Sequence, residues 1–312
     1  MTAAIVTRDL HKHYGRLRAL DGLDLVVDAG QVHGFLGPNG AGKTTAIRTL
    51  LGLARATSGE ARVLGMDPWK DAVAIHRRLA YVPGDVSVWP NLSGGEAVDL
   101  VVRLRGTAVK DRQYRLERER LMDAFRFDPR KKGRSYSKGN RQKVALIAAF
   151  AVPADLYILD EPTSGLDPLM SVVFHHEVTR VAAAGATVLL SSHILSEVEQ
   201  LCDRLSIIRR GRVVEAGTLA DLRHLTRTEV SFAARGITPD RPPGVPGAHD
   251  VVVAGGRVRF TLDDDRVAEA LPALAELGVV GLRVTPPSLE ELFLRHYGDD
   301  PAAAQTAETR RR

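Results

Sequence analysis

A single cysteine, Cys202, in 312 residues excludes an internal disulfide framework and a cysteine-rich metal site. It lies in the apolar stretch LCDRLSII, which points to a buried structural thiol. Long hydrophobic runs are also missing. The longest near the middle, residues 144–154, spans 11 residues and ends at Asp155, whereas a bilayer span needs about 20. The first residues, MTAAIVTRDLHKHYG, carry Asp9 early and no apolar core, so no secretory leader is expected. Aromatics make up 5% of the chain. The composition, 44% hydrophobic and 26% charged, still allows a sizeable core. A cytoplasmic chain is expected, with any membrane role passing through a partner.

Charge is unevenly spread. The net charge is +5, yet residues 103–143 hold fifteen Lys/Arg against five Asp/Glu, so the remainder is acidic. Such a field suits nucleic acid, an anionic membrane surface, or a solvated helix face interspersed with Glu117, Glu119 and Asp123. No aromatic interleaving offers bases a stacking platform, so no nucleic acid is expected.

The strongest signal is VHGFLGPNGAGKTTAIRTLLGL. Val32 to Leu36 predicts a buried strand, and Thr45 to Leu53 an apolar helix. Between them, Gly37, Pro38, Asn39, Gly40, Ala41, Gly42, Lys43 and Thr44 match G-x-x-x-x-G-K-[ST]. Glycines let backbone N–H groups turn toward phosphate oxygens, and the helix N-terminus adds its positive end. Lys43 is expected on the β- and γ-phosphates of ATP, Thr44 on Mg²⁺, and Thr45 as a helper at the helix start.

A phosphate loop needs an acidic partner for magnesium. The stretch DLYILDEPTSGLD supplies one, with Leu156 to Leu159 as a buried strand ending in Asp160 and Glu161. Asp160 suits the ion, and Glu161 suits polarisation of the attacking water. Paired acids after a strand can also cap a helix, and Pro162 at the next turn fits that reading.

Taken together, residues 4 to 220 resemble an ATP-binding cassette (ABC) ATPase. The resemblance implies an α/β P-loop NTPase fold, a RecA-like core with antiparallel β and helical subdomains. It also implies two cassettes facing head to tail, each ATP lying between one chain's phosphate loop and the other's signature. Two stretches compete for the signature: LSGGE at Leu92 to Glu96 and SYSKGNRQK at Ser135 to Lys143. The family signature starts a helix that leads into the Asp-Glu strand. Only the second stretch precedes such a helix, predicted over Val144 to Val152 and stopped by Pro153. In LSGGE, Ser93 and Glu96 instead form the S-x-x-E capping box of a helix AVDLVVRLRG. The resemblance then implies that Ser137 and Gly139 contact the γ-phosphate of ATP on the other subunit. Lys138 and Asn140 depart from the family pattern.

Other landmarks follow in family order. SGLD, Ser164 to Asp167, resembles the loop that signals across the dimer, so Asp167 joins the nucleotide-side residues. His193, after the apolar strand Thr187 to Leu190, resembles the switch histidine that senses the γ-phosphate. Tyr14 is placed to stack on adenine, with edge-strand packing as its bland alternative. Where the family carries glutamine after a strand like LAYVP, this chain has Gly84 and then Asp85. A carboxylate suits Mg²⁺, so Asp85 is a candidate replacement.

The cassette is expected over 1–224, its helical subdomain over about 86–152. Residues 225–298 predict a small C-terminal α+β accessory domain. It has strands in TEVSFAARG, DVVVAGG, RVRFTLD and VVGLRVT, a Pro/Gly loop ITPDRPPGVPGAH, and a helix in DRVAEALPALAELG. A last helix is predicted in PSLEELFLRHYG with Ser288 and Glu291 as its box, and 299–312 read as a disordered tail. The ending PSLEELFLRHY resembles single-cassette subunits of ABC-2 drug and antibiotic exporters. The expectation is an ATP hydrolase at the cytoplasmic face of the membrane, a homodimer working on a separate permease. The alternatives are a soluble ABC ATPase acting on nucleic acid or the ribosome, and an importer subunit.

Overall fold

Short runs of apolar residues become a parallel sheet here because both of their faces are covered. The structure, a computed structural model, describes residues 3–223, 227–234, 244–263 and 266–285. In chain order, β1 (Ala3–Tyr14), β2 (Leu17–Asp28) and β3 (Val32–Leu36) precede helix α1 (Lys43–Leu50). Then come β4 (Ser58–Val63), α2 (Ala72–Arg78) and β5 (Leu79–Val82). Three helices, α3 (Gly94–Leu104), α4 (Arg112–Ala124) and α5 (Lys138–Phe150), separate β5 from β6 (Leu156–Asp160). Helix α6 (Pro168–Ala183), β7 (Thr187–Ser192), α7 (Leu195–Leu201), β8 (Arg204–Arg209) and β9 (Arg212–Thr218) follow.

The main sheet runs β5-β6-β7-β3-β8-β9. The pairings β5–β6, β6–β7, β7–β3 and β3–β8 are all parallel. Every residue of β3, β6 and β7 is buried. A second sheet, β2-β1-β4, is antiparallel, and its inward residues Ile5, Leu10, Leu23 and Val63 join the core around Phe35 and Ile158.

The two candidate signatures now have distinct places. Ser93 caps α3, and the reciprocal bonds of a capping box with Glu96 are both present. Ser137 caps α5, accepting from the backbone N–H of Asn140 at 3.3 Å. Helix α5 therefore starts at Lys138, earlier than its apolar run Val144 to Val152 suggested, because the cap and not hydrophobicity sets the start. Helix α1 likewise differs from its expected span of Thr45 to Leu53. It begins at Lys43 and ends at Leu50, before Gly52 turns into the left-handed region at φ 68°.

One buried charge ties α4 to α6. Arg120 donates to both oxygens of Glu177, at 2.7 and 2.9 Å, and Arg180 adds a 2.8 Å bond. Burial pushes the Glu177 carboxyl up, yet the two guanidinium groups bring it below its ordinary value overall.

The chain divides into two units, Met1–Ala216 and Gly217–Arg312, a boundary slightly upstream of the one expected after residue 224. The second unit holds α8 (Leu219–Arg223), β10 (Thr228–Ala233), β11 (His249–Ala254), β12 (Arg257–Leu262), α9 (Val267–Glu276) and β13 (Val280–Thr285). Its antiparallel sheet runs β11-β12-β10-β13. Val230, Phe232, Val258 and Phe260 pack on Ala270 and Leu274 of α9. The helix expected in 287–298 with its Ser288–Glu291 box, the tail 299–312 and most of the Pro/Gly loop lie outside the described residues. Among the described residues no helix is long and apolar enough to cross a membrane.

Candidate active site

In a parallel sheet the carboxyl ends of the strands all open on one edge, and ligands collect there. Strands β3, β7 and β6 are neighbours, so the segments that follow them meet. The loop after β3 leads to Lys43 and Thr44, β6 ends at Asp160 with Glu161 next, and His193 follows β7.

The loop 37–42 is shaped by backbone conformations that favour glycine. Gly40 and Gly42 have φ of 82° and 112°. At Gly42 a Cβ would come within 2.6 Å of the Ala19 carbonyl oxygen, and at Gly37 within 2.6 Å of that of Ile208. Gly42 caps α1 without a side-chain bond. The first N–H groups of α1 are therefore a ready anion site. Lys43 is buried and donates to the carbonyl oxygens of Gly37 and, at 3.2 Å, Pro38. Burial lowers the Lys43 ammonium's pKa, against the pull of Glu161 and Asp160.

Thr44 donates its hydroxyl to Asp160 Oδ2 at 3.3 Å. Asp160 is only 4% exposed. Burial pushes its carboxyl above the ordinary range and Glu161 adds to this, against the hydroxyls of Ser191 and Thr44 and the charge of Lys43. A hydroxyl and an under-compensated buried carboxylate form an all-oxygen donor pair, and this fits a hard divalent cation.

Glu161 adopts φ 46°, a left-handed conformation rare for a side chain of its size. Its N–H donates to the Ser191 carbonyl at 2.9 Å, and its own carbonyl accepts from the N–H of Ser164 at 3.1 Å. These bonds hold the turn, and the carboxylate stands 3.5 Å from His193 Nδ1. Across from them, a Cβ on Gly84 would lie 3.2 Å from the Asp160 carbonyl oxygen and 3.6 Å from Glu161 Cβ. A larger residue at 84 would crowd the acidic pair. Asp85, the next residue, is exposed.

Ser137 and Gly139 sit apart from this edge group, at the start of α5. A Cβ on Gly139 would come within 2.4 Å of the Gly165 carbonyl oxygen, so the start of α5 and the SGLD loop are in backbone contact. Lys138 Nζ adds a 2.7 Å bond to the Ser164 hydroxyl. Asp167 caps α6, accepting from the N–H of Met170 at 3.0 Å. Tyr14, at the end of β1, is 47% exposed, with Lys12 Nζ 4.8 Å from its ring centre. A flat, exposed ring is what stacking on a base needs.

Sequence reasoning did not single out Gln142. It is fully buried on α5 and donates to the carbonyl oxygens of Pro162 at 3.0 Å and Pro83 at 3.5 Å. One side chain thus links α5 to the ends of β5 and β6. The available signal was a lone amide on the apolar stripe it shares with Leu146 and Ala149.

Comparison with known proteins identifies the family. The ABC transporter family model matches residues 20–164, and a model of an AAA domain matches 133–199. The daunorubicin/doxorubicin resistance ATP-binding protein DrrA of Streptomyces peucetius is 36% identical over 98% of this chain and 97% of its own length. The bacitracin transport ATP-binding protein BcrA of Bacillus licheniformis is 34% identical, covering 74% of this chain and 75% of its own. Among solved structures, an ATP-binding subunit of an ABC transporter is 32% identical, with a TM-score of 0.66 over 71% of this chain and 92% of that one. A dimeric ATP-binding cassette in a post-hydrolysis state, bound to ADP and Pi, shares the fold. It is 20% identical, with a TM-score of 0.63 over 69% of this chain and 98% of that one.

Proposed function

The chain belongs to the ATP-binding subunits of ABC transporters, and from that premise we propose how it works: two copies close head to tail on two ATP molecules and drive a separate membrane permease. It is a nucleotide-binding transport ATPase homologous to resistance exporter subunits. We assign it to export of drug-like or antibiotic-like amphipathic compounds, supported by relatives named for daunorubicin/doxorubicin resistance and for bacitracin transport. Those names give no support to work on nucleic acid or the ribosome.

The observation that carries the mechanism is the meeting of Thr44, Asp160, Glu161 and His193 at one sheet edge. The backbone N–H groups of the loop 37–42, other than Pro38, and the Lys43 ammonium receive the phosphates, Thr45 supports the helix start, and Tyr14 stacks on adenine. Thr44 and Asp160 would hold Mg²⁺, which supplies neutralising charge to the phosphate oxygens. Asp85 would lend a second carboxylate on the metal side. Glu161 accepts a proton from the attacking water, and His193 beside it orients that carboxylate and reads the γ-phosphate. Ser137 and Gly139 complete the ATP site of the other copy, and Asp167 holds the loop that joins the two. The protein works at the cytoplasmic face of the membrane, where the basic segment 103–143 suits anionic lipid.

The test is Glu161→Gln, purified in mild detergent with ATP. We expect turnover to fall at least about a hundredfold, an ATP-bound dimer by light scattering, and a multi-span membrane protein travelling with it. Undiminished turnover would overturn the role of Glu161. Ribosomes or nucleic acid as sole companions would overturn export.

A further inference from the structure

Three side chains on the β1–β2 hairpin form a group that the ATPase site does not use. His11 and His13 lie two residues apart on β1, their ring centres 6.0 Å apart and nearly perpendicular. Asp21 of β2 is the register partner of His11. Ligand atoms of all three lie within 4.8 Å of one another, and each residue is half-buried.

The hydrogen bonds show how the nitrogens and oxygens of this group are engaged. His11 Nε2 is 2.9 Å from Asp9 Oδ1. Against an ionised carboxylate that nitrogen must donate, so in the neutral ring Nδ1 is bare. Bare Nδ1 faces Asp21 Oδ1 at 3.6 Å. Two lone-pair carriers at that distance repel unless a cation lies between them. A proton would serve, but it would not explain His13, whose Nε2 is buried with no hydrogen-bond partner among the described residues. Two arginines approach Asp21. Arg212 occupies the other oxygen, Asp21 Oδ2, at 2.8 Å. Arg18 approaches Oδ1 only to 3.6 Å, and its side chain is 68% exposed and free to swing away. The Asp9 backbone N–H donates to Asp24 Oδ1 at 2.8 Å, while its carboxylate, 82% exposed, reaches back to His11. A carboxylate that holds the far nitrogen of a histidine is the usual support for a metal-bound imidazole.

We propose that His11, His13 and Asp21 bind a divalent transition-metal ion of the zinc class, with Asp9 orienting His11 and water in the fourth position. Two imidazoles and one carboxylate suit zinc and its neighbours better than magnesium or calcium. Ligands on a tetrahedral zinc are roughly 3.4 Å apart, so binding draws the two rings inward by side-chain rotation. The ion would pin β1 to β2 one residue before Tyr14.

The test uses the untagged full chain without nucleotide, titrated with Co²⁺ and then with competing Zn²⁺. Visible absorption of four-coordinate cobalt at one ion per chain, displaced by zinc, is expected. His11→Asn and His13→Gln should each abolish that absorption, and Asp9→Asn should weaken binding about tenfold. Asp160→Asn, on the sheet-edge site, should leave it intact. The melting temperature of each metal-free variant verifies folding, and His13→Gln serves if His11→Asn is unstable. Absorption that survives both histidine substitutions, or that vanishes with Asp160→Asn, would overturn the proposal, as would a wild-type chain that shows none.

Discussion

Gly139→Ala tests whether the contact between signature and SGLD loop sets the geometry of catalysis. The added Cβ would stand 2.4 Å from the Gly165 carbonyl oxygen. An ordinary contact needs about 3.4 Å, so one backbone must move by roughly 1 Å. Overpacking of this kind costs about 1–3 kcal/mol. Alanine regains up to about 1 kcal/mol over glycine inside α5. The net cost, about 0–3 kcal/mol, leaves the fold intact and lowers the melting temperature by no more than about 12 °C. Activity should respond far more, because a misplacement of about 1 Å in a positioning element can cost about a hundredfold. Turnover of ATP is the first assay. The second is ATP-dependent dimerisation in the Glu161→Gln background, by light scattering. A folded Gly139→Ala chain that turns over ATP and dimerises within about twofold of its parent would refute the reasoning.

Ser93→Ala and Ser137→Ala remove equivalent caps, each worth about 0.5–2 kcal/mol, so melting curves should shift alike. Only Ser137→Ala should also cut turnover, by tenfold or more; equal effects on turnover would return LSGGE to contention as signature. Asp85→Ala should raise the Mg²⁺ concentration needed for half-maximal hydrolysis, and an unchanged requirement removes Asp85 from the metal. His33 is buried and its pKa is pushed down to about 4 by burial and by Arg204, from 6.5 in the unfolded chain. The stability tied to its neutral form is complete above pH 6.5 and is lost as pH falls toward 4. The gap amounts to about 3 kcal/mol. His33→Gln should flatten that part of the stability profile in denaturant titrations, and an unchanged slope would refute the assignment.

The sequence displayed best those features whose causes lie within a few residues. The phosphate loop is readable because glycine conformations and a helix start act locally. The true start of α3 is readable because Ser93 and Glu96 answer each other across one turn. Strands β3, β6 and β7 are readable because burial on both faces leaves unbroken apolar runs. What stayed hidden depends on partners far along the chain. Gln142 matters through Pro83 and Pro162, and Arg120 through Glu177, 57 residues on. The grouping of His11 with Asp21 depends on a hairpin register with several shifts, which no local pattern announces. The start of α5 was obscured because its first turns are polar and only the Ser137 cap marks them.

The segment from Glu161 to Asp167 is short and doubly anchored. At its head, Glu161 is locked to β7 through Ser191, and at its middle Gly165 abuts Gly139. In the proposed dimer, its head serves the ATP held by its own chain, while the signature it touches serves the ATP held by the other. A few bonds of backbone then separate two reactions that occur in different pockets. Such a connection behaves like the crossbar of a balance: whatever tips one pan is registered in the other without travelling through the fold at large. Cooperation between the two pockets would therefore need no long pathway, and its strength would depend on how stiffly this one crossbar is held.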